Sequence, residues 1–248
     1  GWSTKSMQST SPEYEAEEKI TVDKNMDLYA VVFNRATETD LTEDQLPQVD
    51  IYKYKQVIFV GDSRTEFMEN VLTGMGESAT KNVKFVCSAG KGLDWFTTTG
   101  WAQLYSIVQH DSNSILSKKT AVIFNFGVND LSKSADYAEY YNWIAPQLKS
   151  KGCELYFMSV NPVNRLMLPN AGRADRSEAA VRSFNQYMKA NLSSAYTYID
   201  MYSYLKSTGY SFASDHYGTG TIDDGLHYTV KTYKRIYAKC MDSLRVPA

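Results

Sequence analysis

The sequence predicts an α/β protein: a three-layer α/β/α sandwich around a five-stranded parallel sheet, with a short N-terminal extension. Two features lead to this prediction. Five short runs rich in Val, Ile, Phe and Tyr alternate with longer segments in which apolar residues recur every three or four positions. Strands that alternate with helices in this way form right-handed βαβ units, which build a parallel sheet with helices on both faces.

Residues 1–50 precede this pattern and are predicted to form an N-terminal extension and a linker, which leaves residues 51–248 for the α/β domain. Residues 26–32 have the apolar and aromatic pattern of a strand. They resemble the closing strand of the small β-grasp repeats of Gram-positive surface proteins. This resemblance implies the end of an upstream β-repeat and an extracellular or cell-surface location. Residues 34–50, rich in Thr, Asp and Glu, are typical of a surface connector.

The predicted strands are the five apolar runs, each five to seven residues long. The helical spacing is clear in the segment with Val181, Phe184 and Met188, and again from Val230 onward. In a parallel sheet of this kind the functional site lies at the carboxyl ends of the strands, so the residues that follow each strand are the main candidates for chemistry. The five predicted strands span residues 56–60, 83–87, 121–125, 154–160 and 196–200.

Charge and hydropathy exclude several classes of partner. A net charge of -2 and a pI near 6.0 provide no field that would attract nucleic acid or an anionic membrane. The most apolar stretch, residues 121–128, is interrupted by Asn125 and Gly127 and falls far short of the roughly 20 residues that cross a bilayer. We therefore expect a soluble protein without membrane insertion. Because the chain begins at Gly1 without an apolar leader, we expect any targeting signal to lie upstream.

The first chemical motif is Gly-Asp-Ser-Arg-Thr at residues 61–65, directly after the first core strand. Ser63 therefore lies at a predicted strand-to-helix turn, where its hydroxyl meets the N–H groups of a helix N-terminus. This position suits a nucleophile whose attack creates an oxyanion. It also suits a serine that caps the helix, so this motif alone leaves both roles open.

Two further motifs favour catalysis. Gly-Val-Asn-Asp, which contains Asn129, follows the third core strand, and Asp-Gly-Leu-His, from Asp224 to His227, precedes the last predicted helix. The topology brings these segments to the same edge of the sheet as Ser63. A serine, an asparagine and an Asp-x-x-His pair complete the set of side chains that acyl transfer requires.

The order GDS, GxND and DxxH, each at a strand end, resembles the SGNH (GDSL-like) hydrolase superfamily over residues 54–245. The resemblance implies a flavodoxin-like strand order. It makes Ser63 the nucleophile and His227 the base that accepts the serine proton. It makes Asp224 the residue that orients the imidazole.

The resemblance also implies an oxyanion hole built from three donors. These are the backbone N–H of Ser63, the side-chain amide of Asn129 and the backbone N–H of a glycine after the second strand. Gly92 is preferred because it directly precedes the helix-like residues 93–96, and Gly90 is the alternative.

Other polar residues near the motifs are expected to be structural. Arg64 stands where the family name has leucine. We expect a solvated arginine at the start of the helix, and the alternative is that it shapes the pocket or pairs with Glu66 or a substrate acid. Asp62 and Asp130 are expected to bond turn backbone. His110 is expected at a helix end and His216 in a loop. No cluster of His, Cys and carboxylates has metal-ligand spacing, so we predict neither a metal nor a cofactor.

The implied function is that of a serine esterase that cleaves carboxylic esters through an acyl-enzyme. One alternative is an acyltransferase that passes the acyl group to a sugar hydroxyl. Another is a catalytically silent, carbohydrate-binding surface module, which the complete set of Ser63, Asn129, Asp224 and His227 disfavours.

The predicted substrate is a small-molecule or glycan ester, with a short acyl group, acetyl, carried on carbohydrate. Aromatic residues follow Gly92 and precede Asp224, and aromatic faces at a polar rim suit sugar rings. For Trp95 and Phe96, packing of a helix on the sheet is the alternative. No long Leu-rich segment near the motifs suggests a groove for a fatty chain. The aromatic residues concerned are Trp95, Phe96, Trp101, Tyr210, Phe212 and Tyr217.

Overall fold

A computed structural model describes most of the chain, and its strands form two separate sheets. Strands β1 (Trp2–Ser3) and β2 (Tyr29–Ala30) pair antiparallel near the N-terminus. The strand predicted over residues 26–32 thus begins only at Tyr29, and residues 31–32 lie outside the described residues. The described residues are 2–4, 14, 19–22, 24–30, 39–50, 53–111, 119–165, 167–168, 176–213, 217–220 and 223–244.

The central sheet has five strands, all parallel, and numbered among themselves along the chain they lie side by side in the order 2-1-3-4-5. The first strand in sequence therefore lies between the second and the third, which is the flavodoxin-like order. The predicted α/β fold with a five-stranded parallel sheet is confirmed. The strands are β3 (Tyr54–Gly61), β4 (Val83–Cys87), β5 (Lys119–Asn125), β6 (Cys153–Met158) and β7 (Tyr196–Ile199).

Helices cover both faces of this sheet. Alternate residues of β3 point to opposite sides. Ile58 therefore packs in one buried cluster with the helices at residues 134–149 and 178–191, while Phe59 packs in another with the helices at residues 63–74, 201–208 and 230–243. The three layers of the predicted sandwich follow from this alternation. The helices are α1 (Ser63–Gly74), α2 (Leu93–Trp95), α3 (Trp101–Asp111), α4 (Ser134–Lys149), α5 (Glu178–Asn191), α6 (Met201–Thr208) and α7 (Val230–Ser243).

The predicted strand over residues 154–160 ends earlier than expected, at Met158. Beyond it the backbone leaves the sheet and is held by a side chain: Asn185 of α5 accepts from the Val160 N–H at 2.7 Å and donates to the Val160 carbonyl at 2.8 Å. These two hydrogen bonds to the Asn185 amide replace the bonds that Val160 would make to a neighbouring strand if the strand were longer. Residues 161–165 can therefore turn toward the loop that precedes α7, where the Asn164 N–H donates to the Gly225 carbonyl at 2.8 Å.

The segment 39–50 packs on the α/β domain. Leu46 and Val49 are buried in the same cluster as α1 and α7, and Asp40 forms a 3.0 Å ion pair with Lys234 of α7. The connector therefore lies against the surface of the domain, while the boundary at residue 50 stays a prediction. No helix in the described part of the chain is long and apolar enough to cross a bilayer.

Candidate active site

Ser63 lies at the carboxyl end of β3 as the first residue of α1. The helix is capped by Asp62, whose side chain accepts from the Arg64 N–H at 3.0 Å. The capping role that the sequence left open for Ser63 therefore belongs to its neighbour. The serine hydroxyl points instead at the loop before α7, where it meets His227.

The structure brings Ser63, His227 and Asp224 into one chain of hydrogen bonds. Ser63 Oγ lies 2.9 Å from Nε2 of His227, and Nδ1 of His227 lies 2.6 Å from Oδ2 of Asp224. Ser63 and His227 are 3% and 8% exposed. The Phe67 ring stacks on the imidazole at a centroid distance of 4.3 Å. Packing from one side and hydrogen bonds at both nitrogens thus hold the imidazole in one orientation.

The Asp224 carboxylate is ionised and holds the loop as well as the imidazole. Burial raises its pKa, but the hydrogen bonds and charge of His227 outweigh burial and keep the pKa below the usual value. Its Oδ1 accepts from the N–H groups of Leu226 at 2.9 Å and His227 at 2.8 Å. An ionised carboxylate only accepts, so the proton of a neutral His227 lies on Nδ1. The Nε2 lone pair then faces Ser63.

Two of the backbone N–H groups expected in the oxyanion hole lie at helix starts. Ser63 begins α1 and Gly92 directly precedes α2, so neither N–H has an acceptor within its own helix. Asn129 lies next to Gly92, because its Nδ2 donates at 2.7 Å to the Lys91 carbonyl, which belongs to the same peptide group as the Gly92 N–H. The second N–H of that amide is left for another acceptor.

Gly92 and Gly90 differ in what surrounds them. A Cβ at Gly92 would overlap with the carboxylate of Asp130, which accepts from the Leu93 N–H at 2.9 Å. Gly90 is exposed, has a φ of +71°, and a Cβ there would meet nothing within 4 Å. Position 92 therefore requires glycine because the Asp130 carboxylate lies so close to its Cα. Position 90 favours glycine because its φ is positive.

The turn that carries Asn129 depends on Gly127. Its φ is +132°, and a Cβ there would overlap with the ring of Phe184 from α5. Asp130 then accepts from the Tyr137 hydroxyl at 2.8 Å as well as from Leu93. Burial raises the pKa of Asp130 and raises the pKa of Asp62 to about 6. Both aspartates bond turn backbone, as the sequence predicted.

Arg64 is not the solvated side chain that the sequence predicted. It is 3% exposed, and its guanidinium donates to three backbone carbonyls. The acceptors are Leu226 from Nε at 2.9 Å, Asn161 from Nη1 at 2.8 Å and Pro162 from Nη2 at 2.8 Å. A signal was present in the sequence, because Arg64, Phe67, Met68 and Val71 have the spacing of one helix face, and that face is buried.

Sequence reasoning missed Arg176 altogether. This side chain is 9% exposed, and its Nη2 donates to Oδ1 of Asn129 at 2.8 Å. Arg176 precedes α5 and lies 47 residues from Asn129 in the chain, so no local pattern announces the contact.

The aromatic residues proposed to line a pocket divide into two groups. Phe96 and Phe212 are buried: Phe96 packs against Phe124 and Phe126 in the core, and Phe212 stacks on Tyr228. Phe96 thus has the packing role that the sequence left open, and Phe212 packs in the core. The others reach the surface to different extents, with Trp95, Trp101 and Tyr210 half-buried and Tyr217 65% exposed.

Of the remaining histidines, His110 is in α3 with its side chain outside the described part, and His216 lies outside the described residues. Among the residues that the structure describes, no group of three or more His, Cys, Asp or Glu side chains is arranged to hold a metal ion.

Solved structures with the same fold are distant in sequence. A candidate acylhydrolase from Bacteroides fragilis has 17% identity and a TM-score of 0.51, over 81% of this chain and 91% of that chain. A candidate SGNH hydrolase from Slackia heliotrinireducens has 13% identity and a TM-score of 0.55, over 78% and 100%. An acetyl xylan esterase has 12% identity and a TM-score of 0.50, over 77% and 100%.

These similarities show the shared fold, whereas the family follows from the sequence itself. No curated protein matches the chain significantly. The sequence profile of the GDSL-like lipases and acylhydrolases matches residues 17–240 and so begins upstream of residue 51, where the α/β domain was predicted to start. The predicted resemblance is confirmed, and the chain belongs to the GDSL-like lipase/acylhydrolase family, whose members are ester hydrolases.

Proposed function

We propose that this protein is a serine esterase that hydrolyses carboxylic esters through an acyl-enzyme on Ser63. The observation that carries the proposal is the hydrogen-bond chain from Ser63 Oγ through His227 to Asp224, with distances of 2.9 Å and 2.6 Å. A nucleophile within reach of a base, which is itself oriented by a carboxylate, is the arrangement that activates a serine hydroxyl.

In the first half of the reaction, Ser63 Oγ attacks the ester carbonyl carbon while Nε2 of His227 takes the hydroxyl proton. The carbonyl π electrons move onto oxygen and form a tetrahedral oxyanion. When the carbonyl re-forms, the bond to the alcohol oxygen breaks, and His227 returns its proton to that oxygen. The acyl group is then esterified to Ser63, and the alcohol leaves.

In the second half, water replaces the alcohol. His227 takes a proton from water as the water oxygen attacks the acyl carbon, and a second oxyanion forms. Its collapse breaks the bond to Ser63 Oγ, which recovers the proton from His227, and the carboxylic acid departs. Asp224 stays ionised throughout and stabilises the imidazolium that forms in each half.

The proposed oxyanion hole consists of the N–H groups of Ser63 and Gly92 and the Asn129 side chain. All three are hydrogen-bond donors with fixed positions: two belong to the backbone, and the third belongs to a side chain that is itself held by hydrogen bonds. They therefore need little reorganisation when negative charge develops on the substrate oxygen. The half-buried position of Gly92, against the exposed position of Gly90, supports Gly92 as the glycine donor.

The proposed substrate is an acetyl group on a carbohydrate. Tyr217 is 65% exposed, and the carbonyl of the next residue, Gly218, accepts from the Val230 N–H at 3.1 Å, which holds this segment beside the residues that follow His227. An exposed aromatic ring there suits a sugar face. Three leucines in the described part of the site loops are buried in the hydrophobic core and supply no apolar lining for a long acyl chain; they are Leu93, Leu168 and Leu226.

Substitution of the proposed nucleophile tests the mechanism. Ser63→Ala should abolish hydrolysis of p-nitrophenyl acetate and labelling by a fluorophosphonate, while circular dichroism stays unchanged. Ser207→Ala, which alters an exposed serine of α6, is the control and should keep full activity. A Ser63→Ala variant that retains esterase activity would refute the proposal.

A comparison of acyl groups tests the substrate class. We expect kcat/KM for the acetyl ester to exceed that for the octanoyl ester of the same alcohol, and we expect release of acetate from acetylated polysaccharide. A tenfold preference for octanoyl, equal to about 1.4 kcal/mol in transition-state binding, would contradict the short-acyl proposal. Product analysis with an added sugar distinguishes hydrolysis from transfer to a hydroxyl.

A further inference from the structure

Arg176 places a positive charge behind the proposed oxyanion donor Asn129. Its Nη2 donates to the amide oxygen of Asn129 at 2.8 Å, on the side of the amide opposite to Nδ2. Arg176 is 9% exposed, and its charge also lies close enough to Asp62 to influence that carboxyl. The guanidinium stays positively charged whatever the protonation state of the other site residues, because arginine keeps its proton at all relevant pH values.

The Asn129 amide is held between two groups of fixed polarity. A guanidinium only donates hydrogen bonds, and the Lys91 carbonyl, 2.7 Å from Nδ2, only accepts them. If the amide were rotated by half a turn, its NH₂ would face the Arg176 donors and its oxygen would face the Lys91 carbonyl. The amide oxygen must therefore face Arg176, and the amino group must face the Lys91–Gly92 peptide.

The same contact changes the strength of the amide as a donor. A charged donor at the amide oxygen draws electron density from the nitrogen and so makes the remaining N–H a stronger donor. Because the guanidinium is almost buried, solvent ions screen its charge only weakly. This polarisation matters most when the group that accepts from Asn129 carries a full negative charge, as an oxyanion does.

The local structure fixes the position of Arg176 relative to the turn that carries Asn129. Ser177 caps α5 by accepting from the Ala180 N–H at 3.1 Å, which fixes the helix start next to Arg176. Further along α5, Phe184 packs against Gly127, two residues before Asn129. The helix that follows Arg176 and the turn that carries Asn129 are therefore one packed unit.

We propose that Arg176 is a positioning residue of the oxyanion hole, which fixes the orientation of the Asn129 amide and strengthens its hydrogen bond to the oxyanion. This inference rests on the proposed esterase function. Arg176 acts only through Asn129, so its effect belongs to the transition state, where the negative charge exists, and not to binding of the neutral ester.

A double-mutant cycle with p-nitrophenyl acetate as substrate tests the inference. In the native background, Arg176→Met should lower kcat about tenfold to a hundredfold, the loss expected for a hydrogen bond to a charged group, with little change in KM. In the Asn129→Ala background the same substitution should change kcat less than about twofold, because the residue through which it acts is gone. Arg176→Lys should restore part of kcat, since it returns a charged donor.

Two results would overturn the inference: an Arg176→Met variant with native kcat, or the same loss of kcat with and without Asn129. Lys149→Met removes an exposed positive charge at the end of α4 and is the control, expected to keep native kcat. Thermal unfolding of each variant separates loss of fold from loss of rate. If Arg176→Met does not fold, Arg176→Gln takes its place, because glutamine keeps a neutral donor. A native kcat in both the Gln and Lys variants would then refute the role. Activity that survives Ser63→Ala would instead overturn the proposed function itself.

Discussion

The Arg64 guanidinium donates from Nε to the carbonyl oxygen of Leu226 at 2.9 Å, one residue before His227. Arg64 is also the residue that follows Ser63 in α1. A single buried side chain therefore joins the helix that carries the serine to the loop that carries the histidine. Its other two hydrogen bonds, to Asn161 and Pro162, hold the segment after β6 against the same loop.

We predict that Arg64→Leu destabilises the fold and reduces activity. Three buried carbonyls would lose the guanidinium, but Pro162 keeps the Tyr228 hydroxyl as a donor. The carbonyls of Leu226 and Asn161 would be left unpaired, and each unpaired carbonyl costs about 1–3 kcal/mol. Urea unfolding should therefore show a loss of several kcal/mol, and the surviving folded enzyme should have a lower kcat because His227 is less well held. Arg165→Leu, at an exposed position, is the control and should change stability by less than about 0.5 kcal/mol. An Arg64→Leu variant as stable as the native protein would contradict this role.

Asn129→Ala should lower kcat by about a hundredfold or more, the usual loss for one oxyanion donor, with a small effect on KM. Asn129→Asp should be at least as damaging, because a carboxylate has no N–H and repels the oxyanion. Steady-state kinetics on p-nitrophenyl acetate measure both. A kcat within about threefold of native for Asn129→Ala would remove this residue from the proposed oxyanion hole.

The two glycines after β4 should respond differently to alanine. In Gly92→Ala the new methyl group overlaps with the Asp130 carboxylate, so the loop must shift and kcat should fall. In Gly90→Ala the methyl group meets open space, and the strain of a φ of +71° should cost about 1 kcal/mol of stability with little change in kcat. Measuring kcat and unfolding for both variants checks this. The opposite order of kcat values would favour Gly90 as the donor.

Activity should fall as pH is lowered and His227 becomes protonated, because a protonated Nε2 cannot accept the Ser63 proton. The pKa of Asp224 lies below its usual value, so this carboxylate stays ionised over the same range. The logarithm of kcat/KM should therefore rise with a slope of one on the acid side. A profile that stays flat from pH 8 to pH 5 would contradict a histidine base.

Asp62 should make the native protein less stable as pH rises from about 4 to about 6. Burial raises its pKa from 3.8 to about 6, so in this range the folded state binds a proton that the unfolded state has lost, and stability decreases as pH increases. Asp62→Asn keeps an acceptor for the Arg64 N–H and has no charge to bury. The free energy of unfolding of Asp62→Asn, relative to that of the native protein, should therefore increase by on the order of 2–3 kcal/mol between pH 4 and pH 7, as measured by urea unfolding. A difference between the two proteins that is independent of pH would contradict this.

The sequence by itself determined the sheet and the position of the chemical motifs along it. Short apolar runs alternate with helical periodicity, and a parallel sheet is the one arrangement that buries such strands on both faces. Because the carboxyl ends of parallel strands share an edge, the motifs of Ser63, Asn129 and His227 were expected to meet there, and the structure brings Ser63 Oγ within 2.9 Å of His227. These inferences need only local pattern and chain order.

Only the tertiary structure decided what surrounds those motifs. The spacing of α1 could place Arg64 on the buried helix face, but only the fold shows that its partner is Leu226, 162 residues away in the chain. Arg176 reaches Asn129 across 47 residues, a contact that no local pattern indicates. The burial of Phe96 and Phe212 likewise depends on partners from other elements. The physical reason is that burial and pairing are properties of contacts between segments far apart in the chain, which periodicity cannot encode.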